Sequence, residues 1–139
     1  DGLTETQCSL FLLTADFDEG PVLAKAPMSL VGNIDNVFDE LVRVGSGLLN
    51  EAFAGWPNWQ YQPQDGGAGF VRKRRQPEES RLDPRIFQTR SLREIYDLIR
   101  ALGDPYPNAF IEDDNGDRLF FKEVAFETRT DERPMVKGN

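Results

Sequence analysis

Histidine is absent from all 139 residues, and that absence excludes more than any motif does. Ser-His-Asp and Cys-His catalysis have no imidazole to use within the chain, and His-containing zinc sites are excluded as well. Proton transfer near neutral pH must rest on carboxylates, on Lys or Tyr, or on groups supplied from elsewhere. There is a single cysteine, Cys8, so no disulfide can form within the chain; set in an apolar run, it is expected to be a small buried residue. Long apolar runs are missing too. None reaches the ~18 residues that mark a membrane span, and the start, DGLTETQ, has neither the basic nor the apolar region of a signal peptide. Positive charge is scarce: 16 Lys and Arg against 24 Asp and Glu, a net charge of −8. That balance makes nucleic acid an unfavoured partner, because phosphate contacts need a local surplus of cations. The expectation is a cytoplasmic chain with no membrane partner.

What is present suits one packed domain's worth of chain, with 39% hydrophobic and 11% aromatic residues. CSLFLLTA (8–15) is nearly continuous in apolar residues, as in a strand buried on both faces. GPVLAKAPMSL (20–30) alternates, and Pro27 marks an edge strand or its end. From Ile34 to Ala54 apolar residues recur at three- and four-residue spacings, which predicts a helix. Asn33 is its N-cap, Asp35 suits the first turn, and Gly55 ends it. Gly45 and Gly47 weaken its middle by about 1 kcal/mol each and suggest close approach of a neighbour. Residues 56–69 read as a loop or hairpin connection, FVRKRRQ (70–76) as extended, and PEESRLDP (77–84) as polar loop. A second helix is predicted over 91–103, with Ser91 and Glu94 as a capping box, Gly103 as its stop and an apolar stripe through Leu92, Ile95, Tyr96, Ile99 and Leu102. Residues 106–127 predict a hairpin turning at Asn115-Gly116, followed by a polar tail, 128–139.

Several candidate sites have plainer readings. EDDNGD (112–117) fails as a calcium loop: with Gly116 at position six, positions one and twelve fall on Ile111 and Lys122. Arg72-Lys73-Arg74-Arg75 could grip phosphate, but a strand would split the four between two faces, and a solvated or ion-paired strand is expected. Trp56, Trp59 and Tyr61 could stack on a base or sugar; packing near a helix end is the expected role. DFDEGP (16–21) on its own is a turn pattern.

Three stretches together change the weight of that last pattern. ETQCSLFLLTADFDEGPVLAKAPMSL (5–30), VRKRRQPEESRLD (71–83) and IYDLIRALGDPYPNAF (95–110) follow one another as do segments of the folate-dependent formyltransferases, and the chain resembles that family over most of residues 5–127. RALGDPYPNAF is most similar to members that formylate amino groups on nucleotide-linked sugars, and also resembles methionyl-tRNA formyltransferase. The resemblance implies N10-formyltetrahydrofolate as cofactor and an amino-sugar nucleotide as substrate, with an initiator methionyl-tRNA acceptor or a non-catalytic binding module as alternatives. It places Asp18 on the family's essential Asp, where a carboxylate takes the proton shed by the attacking amine, and it puts Thr14, Ala15, Asp16 and Phe17 on the loop that approaches the folate. The family's catalytic Asn and His fall upstream of the matched stretch, so the isolated chain is expected to be inactive. The pattern departs at Gln7, Glu79 and Asn108, the last expected at a turn of positive φ. A start at Asp1 rather than Met points to truncation or processing. The implied fold is α/β (α+β): a partial formyltransferase-like sheet with a long helix (1–62, the C-terminal half of a catalytic domain), then a small helix and β-hairpin extension (63–127). A partial sheet leaves open edges, hence a possible homo-oligomer.

Overall fold

The computed structural model describes residues 2–64 and 72–128; the first two residues of FVRKRRQ and nearly all of the polar tail lie outside them. Strand β1 (Glu5–Phe11) pairs antiparallel with β2 (Val22–Ser29), in register from Glu5 opposite Ser29 to Leu10 opposite Ala24, with a shift at Phe11. Alternation then puts Cys8 and Leu10 on the same face as Ala24, Ala26 and Met28. Helix α1 (Ile34–Ala54) covers that face through Val37, Val44 and Leu48. Burying Val44 and Leu48 contributes about 1.5–3 kcal/mol each. The opposite face of β1 carries Glu5, Gln7 and Ser9 and is exposed. The expected strand buried on both faces is therefore a half-buried strand of a two-stranded sheet, as antiparallel pairs permit. Pro27 is accommodated in β2, opposite Gln7.

Helix α1 has the predicted bounds. The Asn33 side chain accepts from Asn36 N at 3.1 Å while Asn36 Oδ1 accepts from Asn33 N at 3.0 Å, and Gly55 caps the other end. Beyond the adjacent backbone of the helix itself, no heavy atom of the described residues stands within 4 Å of the position a Cβ would take on Gly45 or Gly47. The close neighbour they suggested is not there, and apolar Val42, Leu49 and Phe53 of the same helix are exposed.

A second core is built from Leu82, Ile86, Ile95, Ile99, Leu102 and Ala109. PEESRLDP is not a loop throughout: Pro77–Ser80 is a 3₁₀ turn, Ser80 and Leu82 are buried, and helix α2 (Ile86–Thr89), unforeseen, follows at once. Helix α3 runs only from Leu92 to Ile99, capped as predicted by Ser91 and Glu94. It stops four residues before Gly103, whose Cβ position would lie 2.6 Å from Ile34 Cγ2; Gly103 serves a close contact between the two parts of the chain. Leu92, expected in the stripe, is exposed. Strands β3 (Ala109–Glu112) and β4 (Arg118–Phe121) form the predicted hairpin. Its turn is wider than a two-residue one: Asp113 accepts through its carboxylate from Asn115 N and Asp117 N, both at 2.9 Å, and Gly116 alone takes a positive φ, 88°. EDDNGD is thus a self-capped turn, and no acidic or Cys cluster able to hold a metal occurs among the described residues. Among those residues no helix is long and apolar enough to cross a membrane.

The two cores are joined by Arg100. Its side chain, 10% exposed, donates to Asp97 Oδ1 at 2.7 Å and reaches back to the first unit, to the carbonyls of Leu30 (2.5 Å), Gly32 (2.9 Å) and Leu3 (3.2 Å).

Candidate functional site

The Asp18 loop is fixed by backbone before any side chain matters. As β1 gives way to β2, Leu12 N donates to Pro21 O at 3.0 Å. Gly20 is buried there, and an added Cβ would lie 1.6 Å from Leu12 O, a position no side chain can occupy. Gly20→Ala should therefore cost about 3 kcal/mol or more through forced backbone movement, read as a lower midpoint in urea denaturation; a midpoint equal to wild type would contradict the geometry. Gln62 pairs with Val22, and Gln64 Nε2 donates at 2.7 Å to the carbonyls of both Asp18 and Gly20. This clamp crosses more than forty residues of chain, and no local signal in the sequence marks it.

Within the loop, Thr14 Oγ1 donates to Asp16 O at 3.1 Å. Thr14, Ala15, Asp16, Phe17 and Asp18 are all exposed, Phe17 to 97%. Asp18 has φ 57°, and it is the one non-glycine residue of positive φ among those described. Its carboxylate makes no hydrogen bond among them, so a backbone tied down by Gln64 presents an exposed acid in a loop that also exposes Leu13 and Phe17. The expectation of positive φ at Asn108 is not met. Asn108 instead donates from Nδ2 to Asp104 Oδ1 at 3.0 Å, tightening the DPYPNAF turn.

The other two motif stretches meet each other. Leu82 N donates to Phe110 O at 2.7 Å, Arg81 bridges Phe110, and the Ser80 hydroxyl donates to Pro107 O at 3.1 Å. Between them lies a cavity of about 660 Å³ lined by Arg74, Arg75, Gln76, Pro77, Ser80, Ala101, Leu102, Tyr106 and Pro107. Residues 72–76 are irregular rather than a strand, so the two-face split expected of the cations does not arise. Arg75 donates to the Glu79 carbonyl. Of the aromatics, Trp59 takes the packing role: its Nε1 donates to Ala52 O at 2.6 Å and its ring meets Trp56 edge-on at 4.8 Å at the end of α1, while Trp56 and Tyr61 are exposed; Cys8, expected to be buried, is half-buried against the first core because its strand has only one covered face.

Comparison with known proteins places this architecture. No protein-family model matches the chain. Methionyl-tRNA formyltransferase of Chloroflexus aurantiacus is 30% identical over 116 residues, covering 78% of this chain and 35% of that protein. Among solved structures, methionyl-tRNA formyltransferase from Clostridium thermocellum superposes with a TM-score of 0.74 at 28% identity, over 91% of this chain and 53% of that one. A sugar N-formyltransferase from Shewanella sp. FDAARGOS_354 superposes with a TM-score of 0.67 at 19% identity, over 88% of this chain and 51% of that one, a likeness of fold. The chain spans between a third and about half of the relatives it matches. The chain is thus formyltransferase-like: similar in sequence to about a third of methionyl-tRNA formyltransferase, and in fold to about half of the methionyl-tRNA and sugar N-formyltransferase structures.

Proposed function

We propose that the chain is the C-terminal part of a folate-dependent N-formyltransferase that moves a formyl group from N10-formyltetrahydrofolate to the amine of a nucleotide-linked amino sugar. Asp18 accepts the proton that the amine loses as it attacks the formyl carbon. The backbone of Thr14 to Phe17 lies along the pterin, and the exposed Phe17 and Leu13 give that loop an apolar surface for it to cover. The single observation that carries the reading is the Asp18 loop: a carboxylate with no hydrogen bond among the described residues, on a backbone at φ 57° braced by a buried Gly20 and by Gln64, in a stretch that resembles the family's Asp-bearing loop. A non-glycine residue kept in this conformation on a braced backbone is a common device for aiming a functional side chain. The net charge of −8 favours a small acceptor over a polyanion.

A second reading, methionyl-tRNA as acceptor, is favoured by the names of the sequence relatives. The two separate in one experiment. The chain is joined to the upstream portion of a relative and supplied with N10-formyltetrahydrofolate and either amino-sugar nucleotides or methionyl-tRNA. Transfer to the sugar nucleotide is expected, together with no turnover by the 139-residue chain alone. Transfer confined to methionyl-tRNA would replace the first reading with the second, and turnover by the chain alone would remove the need for upstream groups.

A further inference from the structure

We propose that Gln64 is a positioning residue for formyl transfer: by holding the backbone on either side of Glu19, it sets the direction in which Asp18 presents its carboxylate. The inference rests on the proton-accepting role given to Asp18 above, and adds a residue remote in sequence on which that role depends.

The donor arithmetic comes first. Gln64 Nε2 lies 2.7 Å from the carbonyl oxygen of Asp18 and 2.7 Å from that of Gly20. A side-chain amide carries its two hydrogens on that nitrogen and none on its oxygen, so each hydrogen goes to one carbonyl. The flipped amide would set its oxygen against both carbonyls, which fixes the assignment. The Asp18 carbonyl fixes ψ of Asp18 itself, and the Gly20 carbonyl fixes the exit of the turn toward β2. Asp18 stands at φ 57°, where a Cβ is penalised and an Asp is ordinarily supported by a local bond from its own side chain. Its carboxylate makes no hydrogen bond among the described residues, so the support reaches it through the backbone.

The brace is itself anchored. Gln62 and Val22 exchange both backbone hydrogen bonds, at 2.7 and 2.9 Å. Upstream, Asn58 N donates to Gly55 O at 2.9 Å and Trp59 Nε1 to Ala52 O at 2.6 Å, tying the same segment to the end of α1. Gln64 therefore acts from a segment fixed on β2 and on α1. The other ties of the loop lie elsewhere. Leu12 N closes its base on Pro21 O, and the Thr14 hydroxyl bonds Asp16 O, upstream of the acid. Loss of the Gln64 donors leaves those ties in place, so the fold survives and the aim of Asp18 does not. Misplacing a reacting group by about 1 Å is enough to cost about 10²-fold in rate.

The test uses two variants. Gln64→Met keeps the length of the side chain and removes both donors; Gln64→Glu keeps the length and faces the carbonyls with acceptors at neutral pH. In the full 139-residue chain, the carbon shifts and the amide-to-Hα coupling of Asp18 should carry the signature of positive φ in wild type and lose it in both variants, at unchanged circular dichroism. In the joined enzyme both variants should lower kcat by about 10–10²-fold while KM stays within about twofold. Placed on Asp18→Asn, Gln64→Met should cost at most about twofold more, because residues that act as a unit do not add. An unchanged Asp18 signature would overturn the inference and leave the role of Asp18 standing. Wild-type kcat in either Gln64 variant, beside an impaired Asp18→Asn, would do the same. So would full additivity of the two substitutions, since Gln64 would then act apart from Asp18. Wild-type turnover by Asp18→Asn would overturn the proton-accepting role itself, and the inference with it.

Discussion

Asp18→Asn should lower formyl transfer by the joined, full-length enzyme by about 10²–10⁴-fold, the usual weight of a positioned proton acceptor, with the loss in kcat rather than KM. The substitution is suited to the question because it changes so little else. Asn tolerates the left-handed conformation that Asp18 adopts at φ 57°. The clamp from Gln64 holds the Asp18 carbonyl, not its carboxylate, and among the described residues the carboxylate has no hydrogen-bond partner to leave behind. Thermal stability should thus match wild type. Asp18→Gly, which takes that φ without side-chain cost, should be at least as stable. Full turnover in the Asn variant would reduce DFDEGP to the hydrated turn that its composition first suggests.

Arg100→Met should uncouple the two cores. The side chain is almost wholly buried and reaches three carbonyls of the other unit, those of Leu3, Leu30 and Gly32. Met fills much of the volume but donates nothing, so three acceptors lose a partner, and among the described residues Asp97 keeps only the half-exposed Arg93, at 3.1 Å. Removing one partner of a buried, hydrogen-bonded ion pair costs about 3–5 kcal/mol, a large part of what a marginal domain has. Urea unfolding should show a lower midpoint and two transitions in place of one, and a single transition at the wild-type midpoint would refute the coupling. A pH signature accompanies it. Hydrogen bonding from Arg100 first, then from Arg93, holds the Asp97 carboxyl below its ordinary value. A carboxylate lowered in the folded state contributes stability that is present above its unfolded pKa, about 3.9, and is lost as pH falls through the folded one. Wild type should therefore lose stability on acidification below that range more steeply than Arg100→Met does.

Local rules were enough for some elements and silent about others. Helix α1 was legible to the residue because its apolar spacing, Asn33 cap and Gly55 stop all act within one or two turns. The Ser91–Glu94 box was legible for the same reason. The end of α3 was not, since Gly103 is where it is for a contact with Ile34, far away in sequence. Periodicity likewise could not tell the half-buried β1 from a fully buried strand, because only its pairing with β2 shows which face the helix covers.

By itself, then, the order of residues determined the catalytic chemistry that is excluded, the long helix, the hairpin and the three stretches shared with formyltransferases, all of which depend on residue type or near-neighbour spacing. Only the tertiary structure decided that Gly20 is required by the Leu12 carbonyl, that Gln64 braces the Asp18 loop, that Arg100 joins two cores, and that Arg74 and Arg75 rim a cavity. Each of those facts is a distance between residues remote in the chain, and such distances are set by packing.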